Sequence, residues 1–129
     1  MVTAMSLMKR DLAMLPFSAS VLEAACVMKD RRIGSVFVQQ DERIVGIVTE
    51  TDIVRRTLGS GQMPGFVPIA QIMTSPVIGI EGARPITEAA DLMEKNHTRH
   101  LAVLHAGDIV GVLSVRDLLH PVSMMSSRR

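Results

Sequence analysis

A segment of this chain occurs twice, and this duplication limits the possible folds more than any other feature. Residues 44–54 read Ile-Val-Gly-Ile-Val-Thr-Glu-Thr-Asp-Ile-Val, and residues 109–119 read Ile-Val-Gly-Val-Leu-Ser-Val-Arg-Asp-Leu-Leu. Residues 20–54 align with residues 85–119 without a gap at an offset of 65, and nine of these 35 positions are identical. Ordinary composition would give roughly two or three identities. The chain is therefore a tandem duplication.

Both copies predict the same order of elements. Ser20-x-x-Glu23 predicts a capping box before an amphipathic helix, and Pro85 suits the first turn of the equivalent helix. Runs typical of strands follow at 36–38 and 101–104. Tight connections at 40–42 and 105–107 then lead into the duplicated strand and its helix. With opening strands at 12–15 and 77–80, each copy has the order β-α-β-β-α.

The repeat also predicts the domain organisation. We assign residues 1–60 to the first repeat, 61–68 to a linker, 69–122 to the second repeat and 123–129 to a flexible tail. The linker lies in a stretch rich in Gly and Pro, and the tail is polar. Because copies of this size are only marginally stable alone, we expect them to pack together with pseudo-twofold symmetry.

Composition argues against several classes of protein. Fourteen Lys and Arg balance thirteen Asp and Glu, so a net charge of +1 gives no electrostatic support for binding nucleic acid or an anionic membrane. The absence of Trp and Tyr removes the usual base-stacking platforms. One cysteine forms no internal disulfide, and no apolar run approaches the ~20 residues of a membrane span. We expect a soluble cytoplasmic protein.

The duplicated motifs resemble a known family. Gly-Ile-Val-Thr-Glu-Thr-Asp at 46–52 and Gly-Val-Leu-Ser-Val-Arg-Asp at 111–117 are similar to paired cystathionine-β-synthase (CBS) domains, an arrangement called a Bateman module. Ile-Met-Thr-Ser-Pro-Val at 72–77 and the Glu-Ala-Ala helices support the resemblance, which covers Met5 to about Val122. It implies an α/β (α+β) fold of two tandem β-α-β-β-α repeats. It also implies regulatory ligands, usually adenosine compounds, in two clefts between the halves, and a homodimer.

Each strand-to-helix junction carries a hydroxyl and, three residues later, a carboxylate. Thr49 with Asp52, and Ser114 with Asp117, have the spacing of a helix N-cap and its third helical residue. One interpretation is a cap alone. In the other, the junction also holds a nucleotide, with the helix N-terminus and hydroxyl facing a phosphate and the carboxylate accepting ribose hydroxyls. The sequence leaves both open.

The resemblance implies two unequal clefts. In the family, basic residues just before the buried strand often meet phosphate, and Arg99 and His100 stand there in the second copy, with Arg116 beside Asp117. Their alternative role is a solvated strand end. The family also implies that each cleft takes its base-binding wall from the other half. The stronger cleft is thus predicted to contain Ala13, Ile33, Arg99, His100, Ser114, Arg116 and Asp117. The weaker cleft is predicted to contain Gly34, Ser35, Thr49, Thr51, Asp52, Ile78 and Thr98.

Other chemistry-bearing residues give weaker signals. His97 and His100 lack further ligands at metal-binding spacing, so no metal site is predicted. Cys26 is predicted to be a buried, inert thiol on the apolar helix face. Most of the ten methionines indicate packing, with Met124 and Met125 in the tail as exceptions.

These observations favour a non-catalytic module that senses AMP, ADP, ATP or S-adenosylmethionine and signals to an unidentified protein partner. No cofactor is required, and no set of nucleophile, base and oxyanion donors can be assembled from these spacings. The alternative is a structural homodimerisation module without a ligand. We expect no nucleic-acid or membrane partner.

Overall fold

Two three-stranded sheets carry the duplicated segments. The computed structural model describes residues 1–119, and its first sheet joins β1 (Met14–Pro16), β2 (Ser35–Gln40) and β3 (Arg43–Thr49). The second sheet joins β4 (Gly79–Glu81), β5 (His100–His105) and β6 (Asp108–Ser114). In each, the first pair of strands is parallel and the second antiparallel. The mixed α/β fold with two copies of one repeat is confirmed. The predicted tail at 123–129 lies outside the described residues.

One helix crosses from the first to the second strand of each sheet. These helices are α2 (Val21–Arg31) and α4 (Ile86–Lys95). Ser20 caps α2, since its hydroxyl accepts a hydrogen bond from the Glu23 N–H at 3.1 Å. Within the described residues only this half of the predicted capping box is formed. Pro85 lies at the N-cap of α4, one residue before the predicted first turn.

The two hairpins have the same local geometry. Asp41 and Glu42 have φ of 51° and 63°, and Ala106 and Gly107 have φ of 52° and 86°. Positive φ at both central residues is the requirement of the two-residue turn that matches the twist of paired strands. Each hairpin also contains a register shift, after Val38 in one and Val103 in the other. The repeat therefore extends to backbone irregularities.

Each sheet packs one face against its helix to form a separate apolar core. The buried residues of the first core are Ala13, Ala19, Val21, Ala24, Met28, Val36, Val38, Val48, Ile53, Val67, Ile69 and Ile72. Those of the second core are Ala4, Met8, Ile80, Ala89, Met93, Leu101, Val103 and Leu113. Members of the same strand are two residues apart, as expected for one face of a sheet.

Two segments, which we call straps, each pack on a sheet. The sequence does not predict which strap packs on which sheet. The N-terminal strap (residues 3–10), with α1 (Ala4–Leu7), pairs with β6 through two Lys9–Val112 backbone hydrogen bonds of 2.9 and 3.0 Å. The central strap (residues 68–75) pairs with β3 through Thr74 and Ile47. One compact unit is therefore Ala13–Val77, and the other combines Met1–Leu12 with residues 78–119 among those described.

The glycine of each duplicated motif allows its strap to approach. A Cβ added at Gly46 would lie 2.6 Å from the Sδ of Met73 and 2.9 Å from the carbonyl oxygen of Thr74. One added at Gly111 would overlap Met8 in the same way. A glycine inside a strand often marks such a close approach of backbone. In both copies the approaching backbone belongs to a strap.

The helix that follows each motif begins directly at the end of the strand. In the first copy, α3 (Glu50–Ile53) continues as a π-helical turn, Val54–Leu58, which the sequence did not predict. In the second copy, α5 begins at residue 115 and continues to 119, the last described residue. The π-helical turn buries Thr57 completely, and within the described residues its hydroxyl has no hydrogen-bond partner.

This buried hydroxyl leads to a prediction about stability. Thr57→Val keeps the shape of the side chain and removes the unpaired polar group, so we expect the free energy of unfolding to rise by about 1 kcal/mol. Urea denaturation measures the change. Thr87→Val, at an exposed position in α4, is the matched control and is expected to change little. Destabilisation by Thr57→Val would mean that the hydroxyl has a partner in solution.

Candidate functional site

The first candidate corner is the junction of β3 and α3, where Thr49 and Asp52 hold each other. One carboxylate oxygen of Asp52, Oδ2, accepts from the Thr49 N–H at 2.9 Å and from the Thr49 hydroxyl at 3.0 Å. The Thr49 hydroxyl in turn accepts from the Asp52 N–H at 3.3 Å. Asp52 is 9% exposed. The predicted capping box is formed, and it fixes the orientation of a nearly buried carboxylate.

The second corner, at the junction of β6 and α5, repeats this geometry. Oδ2 of Asp117 accepts from the Ser114 N–H at 2.8 Å and from the Ser114 hydroxyl at 3.0 Å. The Asp117 N–H donates to the Ser114 hydroxyl at 3.4 Å, and Asp117 is 8% exposed. The same bonds thus place both carboxylates, with Oδ1 left outside the cap.

Backbone donors at the corners are almost fully used. A helix start leaves four N–H groups without partners inside the helix. The cap uses two of them, and the first helical residue donates to the end of the preceding strand pair, Glu50 to Gly34 at 3.1 Å and Val115 to Arg99 at 3.0 Å. Within residues 1–119, the N–H of the second helical residue of each corner, Thr51 or Arg116, has no hydrogen-bond acceptor. Each corner therefore has one N–H and one carboxylate oxygen that the cap leaves unused.

A cation lies beside each carboxylate, but the two cations come from different elements. Nε of Arg56 lies 3.7 Å from Oδ1 of Asp52, four residues along the same helical segment. Nζ of Lys9, on the N-terminal strap, lies 3.7 Å from Oδ1 of Asp117. Sequence reasoning missed both. The i, i+4 spacing is a signal that could have identified Arg56, whereas nothing local connects Lys9 with Asp117.

Comparison of the sequence with models of protein families identifies the repeated unit. The model described as the CBS domain matches residues 4–59 and 69–123. The chain belongs to the CBS domain family. It carries two CBS domains, and the predicted tandem pair is confirmed.

Several proteins resemble this CBS pair over most of its length. An uncharacterised protein of Acidianus ambivalens is 36% identical over 103 residues, which cover 78% of this chain and 61% of that protein. The chain spans about three fifths of the length of the first curated relatives that it matches. A putative signal-transduction protein with CBS domains from Burkholderia ambifaria is 28% identical with a TM-score of 0.89, covering 94% of this chain and 93% of that one. A CBS domain protein of Pyrobaculum aerophilum, solved in complex with AMP, is 29% identical with a TM-score of 0.83, covering 98% and 97%.

The structure brings together five predicted residues at each CBS corner. Ser35 pairs with Thr49 across the hairpin, next to Gly34, Thr51 and Asp52. At the second corner, His100 pairs with Ser114 in the same way, next to Arg99, Arg116 and Asp117. Arg99 and Arg116 are exposed, whereas His100 is half-buried.

The four residues predicted to cross between the CBS domains lie in the unit of the opposite copy. Ala13 and Ile33, predicted for the Asp117 site, belong to the first unit. Ile78 and Thr98, predicted for the Asp52 site, belong to the second. Their assignment to the two ligand sites stays a prediction.

A groove of about 450 Å³ opens beside the second corner, between α4 and α5. Its lining is mostly apolar, with ionisable groups on three side chains. The residues are Ala90, Met93, Glu94, His97, Thr98, Arg99, Val115 and Leu118. Two predicted site residues, Thr98 and Arg99, line it, whereas the cap residues Ser114 and Asp117 are not among its lining.

The prediction that Cys26 is buried is wrong. The thiol is exposed, because the buried face of α2 carries Val21, Ala24 and Met28. A residue two positions from Ala24 and two from Met28 points to the opposite side of a helix with 3.6 residues per turn. Because the sequence neighbours of Cys26 are apolar, the sequence did not reveal that Cys26 lies on the exposed side of the helix.

The described part of the chain has neither a metal-binding cluster nor a membrane-spanning helix. Within residues 1–119, no group of three or more His, Cys, Asp and Glu side chains is arranged to hold a metal ion. No helix there combines the length and apolar character needed to cross a membrane. Met124 and Met125 lie outside the described residues.

Proposed function

We propose that this CBS pair is a regulatory module that binds an adenosine nucleotide or S-adenosylmethionine at its Asp52 and Asp117 corners. The observation that carries the proposal is the AMP complex of the Pyrobaculum aerophilum protein, which shares the fold over 98% of this chain. The corners support it chemically, because each offers a fixed carboxylate oxygen to ribose hydroxyls and one N–H to an anion.

The module is proposed to act without catalysis. Both corner hydroxyls take part in cap hydrogen bonds with Asp52 or Asp117, which suits them to positioning rather than to nucleophilic attack. No cofactor is needed for this role. Ligand occupancy would be transmitted to a protein partner, and the module would work as a homodimer in the cytoplasm without nucleic acid.

The Asp117 corner is proposed as the stronger site for a phosphorylated ligand. Arg99 and Arg116 are exposed beside it, and His100 begins the neighbouring strand. The matching positions of the other corner are Gly34, Thr51 and Ser35, which carry no charge. Because charge-assisted hydrogen bonds to phosphate are stronger than neutral ones, we expect the nucleotide to favour Asp117.

A thermal melt tests the proposal. A ligand that binds only the native state stabilises it by linkage, by about 2.7 kcal/mol at a hundred times Kd. We expect AMP, ADP, ATP or S-adenosylmethionine to raise the melting temperature in a concentration-dependent manner, and calorimetry to give a saturable isotherm. Inosine monophosphate, which differs from AMP in its base, serves as the control. A folded protein that ignores all four adenosyl compounds would instead support the alternative, a homodimerisation module whose corners are only helix caps.

A further inference from the structure

Lys9 stands out among the charged residues because hydrogen bonds hold its backbone while its side chain is largely exposed. Its N–H and carbonyl both bond Val112, at 2.9 and 3.0 Å, two residues before the Ser114 cap. Its side chain is nevertheless 71% exposed, and its ammonium lies 3.7 Å from Oδ1 of Asp117. The ammonium therefore faces Oδ1 of Asp117, the carboxylate oxygen outside the cap, from a largely exposed position.

The cation at the other corner is held differently. Besides facing Asp52, Arg56 donates from Nη1 to the carbonyl of Ile72 at 3.1 Å, so its guanidinium joins the helix to the central strap. The residue that corresponds to Lys9 in the central strap is Thr74, which is uncharged. Among residues 1–119, the Lys9 ammonium therefore contacts only the corner carboxylate, whereas the Arg56 guanidinium is also bonded to the central strap.

We propose that Lys9 is a phosphate-binding residue of the Asp117 site and makes that site prefer 5′-phosphorylated adenosine to adenosine itself. The inference rests on the proposed function. In the empty site Lys9 offsets the charge of the nearly buried Asp117. When ribose hydroxyls donate to Oδ1, the ammonium turns to the phosphate of the same ligand. Without it, a carboxylate selected for ribose would repel the phosphate that the ribose carries.

The test compares calorimetric binding of adenosine, AMP and ADP to the wild type and to Lys9→Gln. We expect AMP affinity to fall roughly 3- to 10-fold, the range between an exposed ion pair and a hydrogen bond to a charged group. Adenosine affinity should change by less than about twofold, since adenosine has no phosphate for the ammonium to contact. Lys9→Arg, which retains the charge, should recover most of the AMP affinity.

Lys29→Gln is the matched control. Lys29 is 77% exposed and lies 3.7 Å from Asp30, so its removal breaks an ion pair of the same length and changes the net charge equally. It should leave the preference for AMP over adenosine unchanged. A thermal melt of Lys9→Gln checks that the variant is folded, and its midpoint is expected to lie slightly below that of Lys29→Gln, because Asp117 is far less exposed than Asp30.

The outcomes separate the two proposals. Equal AMP affinity of Lys9→Gln and the wild type would overturn the role of Lys9 and leave the proposed function standing. A parallel loss for adenosine and AMP would also overturn it, because it would show a structural effect. A wild type that binds none of these compounds would remove the proposed function, and the inference with it.

Discussion

Asp117→Asn is expected to weaken AMP binding by about two orders of magnitude, and Asp52→Asn by less. Two ribose hydroxyls that donate to an ionised carboxylate are each worth roughly 1.5–3 kcal/mol, and 1.4 kcal/mol is a tenfold change in Kd. Asparagine keeps the size of the side chain but removes its charge. A smaller effect is expected at Asp52 because Gly34, Ser35 and Thr51 give that corner no charged group at the positions of Arg99, His100 and Arg116, so AMP is expected to bind there more weakly. Calorimetric titration of both variants with AMP measures the difference.

The asparagine variants also separate binding from folding. An asparagine side-chain oxygen still accepts from the Ser114 N–H, so most of the cap is kept and the melting temperature of the free protein should fall by only a few degrees. Asp108→Asn, at the exposed start of β6, is the matched control and should bind AMP as the wild type does. Equal losses at Asp117 and Asp52 would contradict the proposed inequality of the two sites. Unchanged AMP binding in both variants would show that the ligand avoids the corners.

Gly111→Ala is expected to lower the free energy of unfolding by about 2 kcal/mol. The added methyl group would overlap Met8 and lie 2.9 Å from the carbonyl oxygen of Lys9, a backbone atom that accepts a hydrogen bond from the Val112 N–H. Overpacking of this kind typically costs about 1–3 kcal/mol. Gly46→Ala meets Met73 and Thr74 in the same arrangement and should be similar. Urea denaturation of each variant measures the loss.

Two further variants show whether the strap is the cause. Gly65→Ala is the control, because its nearest neighbour would be a Leu22 methyl group at 3.9 Å, an ordinary contact. Met8→Ala in the Gly111→Ala background should show a favourable coupling energy in a double-mutant cycle, since it removes the flexible part of the overlap. The recovery should be partial, because the Lys9 carbonyl remains. Additive losses would mean that the strap does not press on Gly111 in solution.

Several features were predictable from sequence because short-range physics determines them. The duplication predicts two similar halves, and turn and strand patterns predict both hairpins. A hydroxyl followed three residues later by a carboxylate satisfies backbone donors within one helical turn. Thr49 with Asp52 and Ser114 with Asp117 therefore form their caps as expected. The sequence pattern did not predict how deeply these carboxylates are buried, because burial depends on which residues pack around the corner.

The sequence by itself determined the repeated β-α-β-β-α order, the capped corners and the family. Only the tertiary structure decided which strap covers which sheet, that Lys9 lies beside Asp117, and that Cys26 faces outward. The physical reason is the sequence distance over which each interaction acts. Turns, caps and hydrophobic periodicity act over a few residues, so the chain records them locally. A strap can pair with either of two similar sheets without changing any local pattern, and its place depends on packing between residues that are far apart in the sequence.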